Sequence, residues 1–437
     1  MRYIFALTFV LGCHAPSAPA GGEPDASSTT TDGAGSGSGS DSTCAPGLAG
    51  APCVLDLYDQ AKSCDATAVA KLHTELDARA GLGPLWANGR GLFRSATPTN
   101  IAGDWNQWST TALPTAAFCS TDLVIGVGPV PTGLHTYKLV ANNAWSLDPL
   151  DPAFAYDDYA GNPDGMNSVL DTPDSGVGHL VRFEQACSTA LGNCRDVTAY
   201  LPPGYDLPAN GTRTYPVLFM HDGQNVWDDH DCCFGHTGWE INVTLDAEIA
   251  AGKVAPIVVI AAASTVARNN EYGLDEPTML QFVDFQVAQL QPQALAHVRW
   301  DHQPLAIAGS SLGGLVAMEL ALRHPEVYGA AASLSGAFWP RMDQHTALRD
   351  EVPTFGKQAL AVYVDSGGDP TDNSDGAADT IEVRDELVTL GWHLADSPSC
   401  ARSPSAVCYA WAQGATHDEL AWKARAWRFL EFLFPAT

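Results

Sequence analysis

The spacing of apolar positions changes character along this chain, and each change predicts a different kind of element. A short apolar run from Tyr3 to Leu11 is followed by residues 15–42, built from Gly, Ser, Thr, Asp, Pro and Ala with almost nothing to bury. The stretch "ATAVAKLHTELDARAG", inside a cysteine-containing segment at 44–90, carries helical spacing. From Leu92 the pattern becomes short alternating runs interrupted by Gly, Pro and Asn, as in "LVIGVGPV" and "HTYKLVANNAWSLDP". Such alternation predicts a small antiparallel sandwich over 91–172. From about Gly178 the runs become uniformly apolar and end in Gly, Ser or Asp: "VTAYLPPGY", "YPVLFMHDG", "APIVVIAAA", "PLAIAGSS", "GAAASLSG" and "ALAVYVDSGG". Helical stretches such as "NVTLDAEIAAGK" lie between them, so 178–437 is expected to be an α/β domain, a mostly parallel sheet with helices on both faces. Open sheets of this kind place their sites at the carboxyl ends of the strands.

One of those strand ends carries chemistry. In Gly309-Ser310-Ser311-Leu312-Gly313 a buried strand passes directly into a helix whose Leu315, Val316, Leu320 and Leu322 are spaced to face a core. A strand-to-helix turn so tight admits only glycine at its flanks, and it holds the apical side chain of Ser311 away from the backbone. Ser310 competes as nucleophile, but reaction there would break the glycine frame. The helix start also aims the Leu312 amide at a reacting carbonyl. A second donor is expected from the loop in "VLFMHDGQNVWD", around Gly223 and Gln224.

A serine hydroxyl is a weak nucleophile at neutral pH and needs a histidine base oriented by a carboxylate. The last histidine, His417, lies in a loop between a strand and a terminal amphipathic helix, whereas His393 in "LGWHLAD" is expected to begin a strand. The loop after "LAVYV" offers Asp365, Asp369, Asp372 and Asp375. Asp365 belongs to the strand. Distance from the strand favours Asp369 as the acid, while counting back from the helix "TIEVRDELVTLG" favours Asp372. The other aspartates are read as a solvated or calcium-type acidic loop. Arg268 and Tyr272, in "RNNEY" after the strand "PIVVIAAA", are candidates for contacting substrate or for ordering the loop.

Several of these segments fall in the order found in one family. "YLPPGY", "YPVLFMHDGQNVWD", "TGWEINVTLDAEIAAGKVAPIVVIAA", "GSSLGGLVAMELALRHPEVYGAAASLSG" and "GATHDELAW" together resemble the Putative esterase family over about 250 residues. This α/β-hydrolase group includes enterochelin-esterase-like, feruloyl-esterase-like and esterase D-like enzymes and is related to the mycolyltransferases. The resemblance implies a triad of Ser311, His417 and Asp369 or Asp372, with the Leu312 and Gln224 amides as the oxyanion donors. Upstream, "IAGDWNQWS", "GLHTYKLVANNAWSLDPLDP" and "MNSVL" resemble early-set immunoglobulin-like modules related to glycogen-binding modules. Such modules often place sugar contacts where Trp105, Trp108, Tyr137, Lys138 and Trp145 stand, although aromatics there equally fill a sandwich. An early-set domain ahead of the hydrolase is also the arrangement of enterochelin-esterase-like proteins.

Composition narrows the setting. The 437 residues are 46% hydrophobic, and 50 acidic against 22 basic side chains give a formal charge of -28. That charge argues against nucleic acid or an anionic membrane surface as partner. The opening apolar run is too short to span a bilayer and ends at Gly12-Cys13. Val10-Leu11-Gly12-Cys13 resembles a bacterial lipobox, which implies lipidation of Cys13, with 14–43 as a tether. The competing reading is an ordinary secretory signal. Of the 11 cysteines, ten remain beyond Cys13. An even number in an exported chain favours disulfides, with Cys187–Cys194, Cys400–Cys408 and a pairing among Cys44, Cys53 and Cys64 expected. Cys232-Cys233 lacks companion ligands at zinc spacing.

The expected function is an exported serine esterase that needs no metal or organic cofactor, located in a bacterial cell envelope or secreted. Its ester is a small molecule or a carbohydrate carrying acetyl or feruloyl groups. The alternatives are a surface carbohydrate-binding lipoprotein with an inactive hydrolase domain, and an acyltransferase with a sugar acceptor.

Overall fold

The computed structural model describes residues 50–436, apart from 80–82, 158, 160–164, 173–174, 228–237, 340–347 and 396–399. Cys13, Cys44 and the Cys232-Cys233 pair lie outside the described residues.

The apolar runs of the C-terminal region form one parallel array because each is covered on both faces. In spatial order the strands are His393–Ala395, Ala406–Trp411, Ala361–Ser366, Tyr328–Leu334, Leu305–Ser310, Val217–Met220 and Val258–Ala262. Neighbours along this series pair in parallel. Val197–Leu201 and His179–Arg182 then extend the array antiparallel. Successive side chains of a strand point to opposite faces, and both faces are apolar here. Val258, Ile260 and Ala262 join one core with the helices Glu276–Phe285 and Leu312–Arg323. Val259 and Ala261 join the other with Ile241–Ala250 and Ala426–Leu433. This is the α/β-hydrolase fold expected from the sequence.

The helix after Ser311 faces the core through Leu315, Val316, Leu320 and Leu322 as expected, and it is covered on its other sides too: every residue from Leu312 to Leu322 is buried. The single terminal helix expected after His417 is two helices, Glu419–Lys423 and Ala426–Leu433, separated at Arg425. His393 does begin a strand, and Asp365 does lie within one.

The N-terminal strands form two layers. Leu85–Ala87, Arg90–Ser95, Val124–Pro129 and Ala116–Ala117 make one small sheet. The strands Asn100–Gly103, Leu134–Ala141, Met166–Asp171 and Ala153–Tyr156 belong to the large sheet, joined to it where Leu180 pairs with Phe154. Backbone pairing therefore runs without a break from the sandwich into the hydrolase sheet. Helices Gly50–Ala61 and Ala66–Asp77 pack on the small sheet through Val54, Leu72 and Ile125. The second helix starts at Asp65, whose side chain accepts the Thr67 and Ala68 amides.

Cys187–Cys194 and Cys400–Cys408 are bonded as expected. Cys64 departs from expectation and pairs with Cys119, tying the helical pair to the sandwich across a sequence separation of 55. The local count of cysteines could not show this pairing, because it depends on how the helices dock.

Two of the sandwich residues considered for sugar contact are interior. Tyr137 is fully buried, with its hydroxyl on Asp148 and Asp151, and Lys138 is buried as well. Trp105 stacks on Phe93, while Trp108 and Trp145 face one another at 6.3 Å, Trp145 being exposed.

Candidate active site

The turn at Ser311 is set by close approach of backbone. A Cβ on Gly309 would stand 2.5 Å from the carbonyl of Gly313, and one on Gly313 would stand 2.9 Å from a carboxylate oxygen of Asp222. Ser311 takes φ 53° and ψ -125°, a conformation that costs a side-chain-bearing residue about 1–3 kcal/mol. Neighbouring strand ends hold it there: the Ser311 amide donates to the Leu334 carbonyl at 3.0 Å, and the Ala337 amide donates to the Ser311 carbonyl at 3.0 Å. Ser310 remains in the strand, buried and paired with Leu334.

His417 reaches this serine from the loop after Ala406–Trp411. Its Nε2 is 2.9 Å from Ser311 Oγ, and its Nδ1 is 2.5 Å from Asp375 Oδ1. The ring sits edge-on to Trp422, with centroids 5.0 Å apart. The His417 side chain is 37% exposed and that of Asp375 is 3% exposed, so the imidazole faces solvent while its partner is enclosed.

The structure therefore corrects the acid assignment: neither Asp369 nor Asp372 meets His417. Asp369 Oδ1 accepts from the amide and hydroxyl of Thr371, and Asp372 Oδ1 accepts from the Ser374 amide. Both carboxylates are used in local turns of the loop, Asp369 lining the cavity beside His417 without bonding it. Asp375, with φ 56° and followed by Gly376 at φ 65°, turns the opposite way. Its Oδ2 accepts from the Gly367 amide and from Ser335 Oγ, the latter at 2.6 Å. A positive-φ Asp-Gly step was the signal available in the sequence.

The other flank of the elbow is formed by the turn after Val217–Met220. His221 donates its amide to the Ala308 carbonyl at 3.0 Å, and the short helix Gly223–Val226 follows. Gln224 lies in this turn with its side chain bonded to Ser264, Nε2 to Oγ at 2.8 Å and Oε1 accepting the Ser264 amide at 3.0 Å. Leu312 opens the elbow helix. Burial pushes the His221 imidazole down to about 4, even though Gln286 Oε1 accepts from its Nε2 at 3.0 Å.

Residues 188–394 match the family model described as Putative esterase. That segment belongs to the Putative esterase family. The match includes Ser311 and Asp375 and stops short of His417. Over 204 residues the chain is 25% identical to the endo-1,4-beta-xylanase/feruloyl esterase of Xylanibacter ruminicola, covering 45% of this chain and 25% of that one. Over 185 residues it is 30% identical to the iron(III) enterobactin esterase of Dickeya dadantii, covering 41% and 39% of the two chains. The chain thus spans well under half the length of these two curated relatives. Among solved structures, the ferric enterobactin esterase of Salmonella typhimurium aligns over 80% of this chain and 96% of that one, with a TM-score of 0.42 and 17% identity.

Within this esterase segment, Arg268 and Tyr272 order a loop. Arg268 holds Asp222 through Nε to Oδ1 at 2.6 Å and Nη2 to Oδ2 at 2.7 Å, and the Tyr272 hydroxyl accepts the Asp222 amide at 3.4 Å. Glu271, between Arg268 and Tyr272 in the sequence, is buried and bonds Arg195. Burial raises the Asp222 carboxyl, but the Arg268 charge and its hydrogen bond outweigh burial and hold it below the usual carboxylate value. Arg268→Leu strands that carboxylate and is expected to lower unfolding stability by about 3 kcal/mol in urea at pH 7. The pair's contribution is complete above the unfolded carboxyl's pKa of about 3.9 and is lost as pH falls through the lower folded value. Wild type and variant should therefore converge below about pH 4. An equal gap at pH 7 and pH 3 would contradict the assignment.

Proposed function

We propose that this chain is an exported serine esterase that cleaves carboxylic esters through an acyl-enzyme on Ser311. The observation that carries the reading is the unbroken Ser311–His417–Asp375 hydrogen-bond chain, at 2.9 and 2.5 Å, at the carboxyl ends of three parallel strands. His417 Nε2 takes the serine proton as Oγ attacks the ester carbonyl, and Asp375 stabilises the imidazolium that results. The Leu312 and Gln224 amides hold the oxyanion. His417 then returns its proton to the departing alcohol, and water releases the acyl group by the same steps in reverse order.

The names of the relatives, a feruloyl esterase and an enterobactin esterase, support esters of aromatic acids or of carbohydrates as substrates. Two partly exposed indoles near the acid loop fit an aromatic acyl group. Trp339 follows two residues after Ala337, and Trp411 donates its Nε1 to the carbonyls of Gly367 and Gly368. Disulfides support an oxidising compartment, and lipidation at Cys13 would fix the chain to an envelope membrane.

The test is a panel of aryl acetates, feruloylated and acetylated oligosaccharides, and catecholate esters, assayed with the full chain. Turnover of at least one class supports the esterase, and the ranking names its substrate. No turnover on any member, with polysaccharide retained in a pull-down, would favour the binding-protein reading, for which the Trp108–Trp145 pair is the surface feature.

A further inference from the structure

Behind the Ser311–His417–Asp375 chain lies a layer of buried polar groups that the acyl chemistry above does not use. Ser335 follows the strand Tyr328–Leu334 at φ 47° and is fully buried. Its amide donates to the Asp365 carbonyl at 2.9 Å, with Asp365 Oδ1 at 3.2 Å. Its Oγ is 2.6 Å from Arg425 Nη2, 3.0 Å from Trp422 Nε1 and 2.6 Å from Asp375 Oδ2. Arg425 is fixed in turn by Asp365, Nε to Oδ2 at 3.0 Å and Nη2 to Oδ1 at 3.1 Å.

The inventory of donors decides where the protons stand. Guanidinium and indole N–H groups can only donate, so they occupy the acceptor sites of Ser335 Oγ, and its one proton has Asp375 Oδ2 as its acceptor. That oxygen also takes the Gly367 amide, which leaves Oδ1 turned to His417. A carboxylate only accepts, so the imidazole proton stands on Nδ1, and Nε2 meets Ser311 with its lone pair.

We propose that Ser335, clamped by Arg425 and Trp422, is a positioning residue that fixes the Asp375 carboxylate and thereby the tautomer and orientation of His417. This inference rests on the serine-esterase reading of the same site. The break between the two terminal helices has a purpose in this account: it turns Arg425 inward, 3% exposed at its side chain, beneath the catalytic loop. The charged groups around the acid and base are Asp365 and Arg425 behind Ser335, Asp369 lining the cavity beside His417, and Asp372 exposed in the same loop. Asp379, bound by Asn373, lies at the start of the next helix, and Asp418 and Glu419 follow His417.

The test compares kcat, KM and the pH–rate profile on an aryl acetate for the full-length wild type and for Ser335→Gly, Ser335→Cys and Ser311→Ala. Glycine accepts φ 47° without strain, so Ser335→Gly removes the hydroxyl while keeping the turn. It is expected to lower kcat by about tenfold to a hundredfold, as for loss of a hydrogen bond to a charged group, with KM within about twofold. A carboxylate with one donor fewer keeps more charge toward the ring, so the acid limb should move up by about half a pH unit. Ser335→Cys, with its weak S–H donor, should fall between the two, and it decides the matter by the same readouts if Ser335→Gly does not fold. Wild-type kcat and an unmoved acid limb, or a change in KM alone, would overturn the positioning role. If Ser311→Ala stays active, it is the serine reading that fails; if Ser311→Ala is inactive beside a wild-type-like Ser335 variant, only the positioning role fails.

Discussion

Ser311→Ala is expected to cut the rate of ester cleavage by about 10³-fold or more, leaving whatever the oxyanion donors and binding still contribute. The size follows from the geometry, since no other hydroxyl is offered to His417 Nε2 among the described residues. Ser310, the adjacent candidate, is buried in the strand and paired with Leu334, and it cannot swing to the apex without breaking that pairing. Alanine occupies the strained φ at the same cost as serine, so the thermal unfolding midpoint should move little. A variant that keeps its turnover would remove Ser311 from the mechanism, whereas loss of turnover accompanied by loss of the folded state would leave the fold, not the nucleophile, as the thing changed. Circular dichroism on the same preparations separates the two.

Replacement of the acid should cost a loss of similar order, and its position is what distinguishes the structure from the sequence reading. Asp375→Asn places an amide where His417 Nδ1 needs an acceptor. An asparagine that turns its NH₂ toward the ring favours the wrong tautomer, and the expected loss in kcat is about 10⁴-fold. Asp369→Asn and Asp372→Asn alter local turns of the loop without removing a bond to His417, and should stay within about twofold of wild type even though Asp369 lines the cavity beside the histidine. Measured side by side on one aryl ester, the three variants order the loop without ambiguity. A collapse of activity at Asp369 or Asp372, with Asp375→Asn near normal, would mean that the loop adopts another arrangement during turnover.

The elbow and the base were legible because each is announced by local pattern. A glycine frame between an apolar strand and a helix marks Ser311, and a histidine in the last loop before a terminal helix marks His417. The parallel array was legible for a similar reason, since uniformly apolar runs ending in Gly, Ser or Asp occur where both faces of a sheet are covered. The acid was not. Three aspartates, Asp369, Asp372 and Asp375, share one loop, and which of them points inward depends on the left-handed backbone at Asp375 and Gly376 and on the donors waiting below it. Those donors, the Gly367 amide and Ser335, come from separate strand ends, so no spacing within the loop encodes the choice. Arg425 was hidden in the same way, because the terminal segment reads as one amphipathic helix and only the break before Ala426 turns its side chain inward. The bond between Cys64 and Cys119 depends on docking of the helical pair, and the pairing of Leu180 with Phe154 joins segments whose patterns predict two separate units.

The most direct test of the proposed acyl chemistry is to trap the adduct. The full chain would be reacted with an aryl phosphonofluoridate, which captures an activated serine irreversibly, then digested and mapped by mass spectrometry. The account predicts one stoichiometric adduct, on Ser311, and none in His417→Ala, where the hydroxyl has lost its base. An adduct on Ser310 or elsewhere, or a protein that turns over esters while remaining unlabelled, would contradict it.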